Sequence, residues 1–471
     1  MTRWKRGFAA ASSDCLPQSV QPKPMSLAVS PAPLRIPVSH VRWFVFNALA
    51  IAAYWAVLTF VYVHVISPVN ATDTIFYLNI NGGKIAEGAL WALLFLPTIG
   101  NGWTRPSEFG LTLLYLIGLV PTLLLFGLAD LPRTMMYIIL AGYAAAWTGV
   151  VFPLRIPQIR LAHGGKSAIW IAVAVSAFTI AWYIFKGPRT FNIDLQAVYD
   201  YREEANAVFE FGPVAYLAEW TPRLMLPFCM CYSLYRRKWL WFGLAFLCQL
   251  FCFVMFQEKE GFIACVMLPI LYILPQGRAG RISYVLVLTA SILACELVYD
   301  IWDNVLLVQL WPRRFFFVEQ FLYFNYFDVF SKIGFSYYSD SFMKWFVHYP
   351  FPDAPSAMVQ YYAMGKMAGN PNVGFFGAGY MEMGALGVIT NGFATGFVLK
   401  LFDRVTAPGM PLWFFGSVVF LPFFGMLIAQ NFATSLLTGG VAAAILVMLC
   451  SADLPFNRST PAEKSPVRRT A

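Results

Sequence analysis

The sequence predicts an all-α, polytopic integral membrane protein, and three observations predict it. Hydrophobic residues fill 59% of the 471 positions and charged ones only 12%. Several uninterrupted apolar runs exceed the ~18 residues that mark a membrane-spanning helix. Basic residues gather in alternate connections, as they do where a chain keeps them on the cytoplasmic side. A soluble fold is excluded.

Taken in order, residues 1–41 are rich in Pro and Ser and carry Arg3, Lys5, Arg6, Lys23 and Arg35. They hold no apolar core for a cleavable signal and read as a disordered cytoplasmic tail, with Met25 as an alternative start. A single membrane domain, 42–451, follows. Apolar length and punctuating charges divide it into about twelve spans. These are 42–66, 86–101, 110–128, 134–153, 168–186, 213–235, 239–256, 260–275, 282–300, 375–400, 411–429 and 432–451, and residues 452–471 form a second tail. Placing the first tail inside puts most of the Lys and Arg residues on the cytoplasmic side, so both termini are expected there.

That topology leaves two larger extracytoplasmic loops, about 187–212 and 301–372, so any chemistry is expected on the outer face. The net charge of +9 follows from the topology and carries no suggestion of nucleic-acid binding. No G-x-x-x-x-G-K-[ST] phosphate loop occurs, which argues against hydrolysis-driven transport. Seven of the eight cysteines lie in apolar runs and none has metal-site spacing, so they read as inert packing, with neither metal nor cofactor expected.

The informative residues are cations kept on the unfavoured side. Arg202 lies in Tyr-Asp-Tyr-Arg-Glu-Glu, where it either pairs with a neighbouring carboxylate or is held by those carboxylates as an anion-binding group. Arg223 follows Glu219 by four residues, the spacing of a structural ion pair on one helical face. Lys259, in Gln-Glu-Lys-Glu-Gly, either keeps a hairpin tip wet or reaches an outer cavity.

The chain is organised around the stretch from Arg313 to Gly392. It opens on Arg313-Arg314, continues through a dense run of aromatic residues to Tyr349, and closes on a glycine-rich entry to the tenth span that contains Glu382. Arginine suits pyrophosphate because its planar fork donates paired hydrogen bonds and stays charged. Aromatic faces stack on sugars, or simply anchor a segment at the membrane interface. Glu382 is the first choice for proton transfer, because a carboxylate near a membrane boundary is suggestive of function. Asp328 and His348 stand behind it. The glycines at 374, 377, 379, 384 and 387 allow close helix packing or a broken helix.

Between Arg189 and Leu401, in order and character, four stretches resemble the O-antigen polymerase (Wzy-type) family: the segment around Arg202, Arg-Arg-Phe-Phe at Arg313, Tyr-Phe-Asn-Tyr-Phe-Asp-Val-Phe at Asp328, and Asn372–Gly387. The resemblance implies a metal-independent glycosyltransferase of the bacterial inner membrane. Such an enzyme joins undecaprenyl-pyrophosphate-linked oligosaccharide repeat units on the periplasmic face, for O-antigen, capsule or exopolysaccharide. It implies roles for Arg202, Arg313 and Arg314, with Lys259 and Arg223, in binding pyrophosphate as it departs. Membrane lipid and the lipid-linked oligosaccharide are the implied partners, and the resemblance leaves room for a chain-length regulator protein. Two alternatives remain open. An O-antigen ligase would use an outer-loop histidine in a local motif that His348-Tyr-Pro does not match, and a polysaccharide flippase or secondary transporter would favour internal repeats, which are not evident.

Overall fold

The computed structural model describes residues 38–71, 76–100, 102–154, 156–157, 164–187, 212–256, 259–275, 277–341, 343–365, 371–454 and 456. Both expected tails lie almost wholly outside these residues, as do most of the 187–212 loop and Arg202 within it. Among the described residues the chain is all-helical, without strands.

Among the described residues, eight helices are long and apolar enough to cross a membrane. They are α1 (Val41–Val69), α3 (Pro106–Leu128), α4 (Arg133–Val151), α5 (Gly164–Lys186), α10 (Arg278–Trp302), α13 (Phe375–Val405), α14 (Leu412–Ala429) and α15 (Phe432–Asp453). Each coincides with an expected span. The other four expected spans are helical but do not qualify: α2 (Gly82–Phe95), α6 (Gly212–Trp220) running on into α7 (Leu226–Tyr235), α8 (Trp239–Phe256) and α9 (Lys259–Ile273). In the second of these, Glu219 and Arg223 interrupt the apolar run, while α2 and the apolar parts of α8 and α9 are short.

The core sits around α3 and α14, whose apolar windows are 100% and 94% buried, whereas the other spans turn half or more of theirs outward. The exterior carries large apolar side chains such as Phe185, Leu240 and Ile273. An apolar outside around an apolar centre is the arrangement a bilayer favours and water does not.

Glycine lets α4 and α13 meet backbone to backbone. A Cβ on Gly392 would collide with the Gly142 carbonyl, and one on Gly396 with that of Ala146. Small residues at membrane helix contacts allow this close approach, which supplies the dispersion energy that lipid tails would otherwise match.

Two features differ from the expected layout. First, residues 301–372, expected as an outer loop, contain a continuous helical stretch: Leu306–Val308, a π-helical segment Gln309–Val318 and α11 (Glu319–Ile333). Its aromatic residues are mostly core. Phe316, Phe317, Phe321 and Tyr323 are fully buried, and Gln320 Nε2 donates to the Ile117 carbonyl at 2.6 Å. Ile117 is the central residue of α3, so this helix packs level with the middle of a span. Phe315, Phe324, Tyr326 and Phe330 are buried as well, whereas Trp345 and Phe346 are exposed.

Second, α13 is not one span. Met383 and Gly384 leave helical geometry, Gly384 with φ +61°, a conformation that suits only glycine. A Cβ on Gly379 would lie 2.9 Å from the Gly387 carbonyl carbon, although residues eight apart in a straight helix are about 12 Å apart. The short first half, Phe375–Glu382, therefore folds back against the second. Both sequence readings of these glycines hold, because the break at Gly384 creates the close contact at Gly379 and Gly387.

Candidate active site

The fold-back places Glu382 at the last turn of a half-helix, where carbonyls have no helical partner. A tight turn supplies partners: the Ser336 backbone N–H donates to the Met381 carbonyl and that of Tyr337 to the Glu382 carbonyl, both at 2.9 Å. The turn holds two consecutive tyrosines, Tyr337 and Tyr338, at φ +52° and +60°. Left-handed backbone costs non-glycine residues about 1–2 kcal/mol each, so the surroundings enforce it. The strain aims Tyr338 inward, where its hydroxyl donates to Asn391 Oδ1 at 3.0 Å and reaches Glu382. Burial, then the Glu382 charge, pushes the Tyr338 phenol up to about 12, so it remains a donor.

Glu382 itself is fully buried. Asn391 Nδ2, from the second half of α13, donates to Oε2 at 2.6 Å, and Asn431 Nδ2, at the start of α15, donates to Oε1 at 2.7 Å. Neutral amides thus satisfy both oxygens, leaving the carboxyl with donors but no counter-charge among the described ion pairs.

Asn431 also lines a cleft of about 170 Å³ with Tyr326, Asp340, Asn372, Met381 and Gln430. This is below the ~300 Å³ lower end of small-molecule pockets, so the cleft has room for one end of a larger molecule and not for the whole of it. Protein packed around Asp340 holds its carboxyl above the usual range, although the residue is open to solvent.

The other expected site residues are distributed differently. Arg313 is half-buried, its guanidinium 4.6 Å above the Phe76 ring, and the exposed Arg314 lies 3.3 Å from Glu319. Both precede Tyr326 of the cleft by twelve to thirteen residues on one helical stretch, roughly 20 Å along its axis. Arg223 is buried and pairs with Glu219 at 2.8 Å, the structural arrangement its spacing allows. Lys259 begins α9, and its side chain lies outside the described residues. Asp328 is mostly exposed and pairs with Lys332 one turn on, at 2.8 Å; His348 is exposed on the irregular segment before α12 (Pro355–Met364). Neither lines the cleft.

Sequence reasoning singled out Glu382 but not Asn391, Asn431, Tyr338 and Asp340, which the structure gathers around it. One signal was present: Gln430-Asn431 is a polar pair inside a long apolar run, expensive unless it faces a partner.

No family model matches the chain, and comparisons with curated proteins and with solved structures likewise return no match.

Proposed function

We propose that the chain is a membrane glycosyltransferase that polymerises lipid-pyrophosphate-linked oligosaccharide repeat units on the outer face of a bacterial inner membrane, with both termini cytoplasmic. The observation that carries this reading is the buried Glu382 carboxyl, donated to by Asn431, which is itself part of the cleft wall. Its support in the sequence is the ordered resemblance between Arg189 and Leu401.

In this reaction the terminal hydroxyl of an acceptor repeat unit enters the cleft and attacks the anomeric carbon of the donor glycan. The new glycosidic C–O bond forms, the bond to the lipid pyrophosphate breaks, and the hydroxyl proton passes to Glu382, through Asn431-bound water or directly. The roughly 20 Å of helix axis between the arginine pair and Tyr326 of the cleft alters the role assigned to Arg313 and Arg314. A leaving pyrophosphate is bonded to the reacting carbon and stays near the cleft. The acceptor's own pyrophosphate lies one repeat unit away from the hydroxyl that attacks, and Arg313-Arg314 suit that group.

A second reading has one observation in its favour. A broken membrane helix bearing a buried carboxylate also suits the proton- or ion-coupled transport of secondary transporters. Glu382→Gln separates the two. In cells or in a reconstituted polymerisation assay, this variant is expected to abolish polymer, accumulate single lipid-linked repeats on the outer face and retain protein level. Repeats trapped on the cytoplasmic face would favour transport, and an unchanged polymer would overturn the assignment of Glu382.

A further inference from the structure

Away from the cleft, His64 on α1 and Glu296 and Asp300 on α10 form a second cluster of polar groups, and their ligand atoms all lie within 4.8 Å of one another. His64 Nδ1 is 2.5 Å from Glu296 Oε1 and 3.8 Å from Asp300 Oδ1. Glu296 and Asp300 are four residues apart, which stacks both carboxylates on one face of α10. His64 occupies a π-helical turn, Tyr62–Ile66, in which the Ser67 N–H bonds back to the Tyr62 carbonyl. Pro68 explains the wider turn, because it lacks the N–H that the His64 carbonyl would accept in a regular helix. The ring is held in place by stacking on Phe60, with centroids 5.2 Å apart.

Hydrogen bonding within the cluster does not account for Glu296. Its side chain is fully buried, and Oε2 has no hydrogen-bond partner. A carboxylate oxygen left so in an apolar bundle is unfavourable unless something charged or donating meets it. Asp300 and His64 remain about half exposed, so the cluster is open on one side.

We infer that His64, Glu296 and Asp300 form a binding site for a divalent transition-metal ion of the Zn²⁺ class near the ends of α1 and α10. One imidazole nitrogen and two carboxylates are a donor set that Zn²⁺ accepts, with a fourth position left for water or another oxygen ligand. The ion offsets the two negative charges and meets the stranded Glu296 oxygen. It also ties α1 to α10, elements far apart in sequence. This site is separate from the Glu382 cleft, and the inference does not depend on the polymerase reading.

The test uses the full chain in lipid nanodiscs, stripped with chelator and titrated with ZnCl₂ by calorimetry, with bound metal counted by mass spectrometry. The wild type is expected to bind one Zn²⁺ per chain and to melt at a higher temperature when loaded. Glu296→Gln and His64→Ala are expected to lose more than about 100-fold in affinity, since even outer-shell losses cost about 10–100-fold. Because either variant can fail by misfolding, His64→Cys provides the control. Loaded with Co²⁺, it is expected to show a sulfur-to-metal charge-transfer band that the wild type lacks. A wild type that binds no Zn²⁺, unchanged binding in both loss variants, or a His64→Cys protein without that band would each overturn the site.

Discussion

Asn431 holds Glu382 and caps a helix with the same side chain: its Nδ2 donates to Glu382 Oε1 at 2.7 Å, and its Oδ1 accepts from the Ala433 N–H at 2.9 Å. The cap fixes the carboxamide, so the amine end is aimed at the carboxyl without further support. Asn431→Ala removes both bonds. Losing the donor to a buried carboxyl costs about 1–3 kcal/mol, and losing the cap about 1 kcal/mol. Asn431→Asp keeps a good cap but sets a second carboxylate against Glu382. The expected outcome is that Asn431→Asp loses polymer formation as fully as Asn431→Ala while keeping the start of α15 protected in hydrogen exchange. An active Asn431→Asp enzyme would contradict the role given to the amide.

The fold-back of α13 rests on Gly384. A side chain there must adopt φ +61°, and a Cβ would lie 2.9 Å from the Phe335 ring. Gly384→Ala is expected to destabilise by about 1–2 kcal/mol from backbone strain alone, with the ring contact adding to it. Thermal melting in detergent reads this directly, and a melting temperature equal to the parent's would show that the break needs no glycine.

Arg313 and Arg314 are assigned to the acceptor's pyrophosphate rather than to the leaving group. Arg313→Ala and Arg314→Ala are therefore expected to raise the KM for the lipid-linked acceptor about tenfold or more, with kcat less affected, since binding lost equally in ground and transition states leaves kcat alone. A loss confined to kcat would return the pair to the leaving group. Charge reversal, Arg314→Glu, is expected to be worse than Ala in the same assay.

Asp340 provides a pH-dependent contribution. Burial by surrounding protein is the first cause raising its carboxyl above the ordinary 3.8. The folded state therefore holds this proton more tightly than the unfolded chain does. The resulting stability is fully present below the ordinary value and is lost as pH rises through the raised one. Asp340→Asn is expected to match or fall below the parent's melting temperature in acid and to exceed it at neutral pH. A difference that does not change with pH would remove Asp340 from the titration.

The all-helical fold and the eight helices long and apolar enough to cross a membrane were legible in the sequence because apolar length and charge placement are local properties. The bilayer reads them one helix at a time. Glu382 could be singled out for a related reason, since a carboxylate beside a long apolar run is costly unless it finds partners. The Glu219–Arg223 pair was likewise readable from spacing on a single helix. Tertiary structure alone decided what crosses between elements. It brought Asn391, Asn431 and Tyr338 to one carboxyl, turned Phe375–Glu382 back upon its own helix, and drew the Arg313–Tyr326 helix into the core. Those outcomes depend on backbone approach at paired glycines and on hydrogen bonds between residues as many as 53 positions apart, which no local pattern of hydrophobicity encodes.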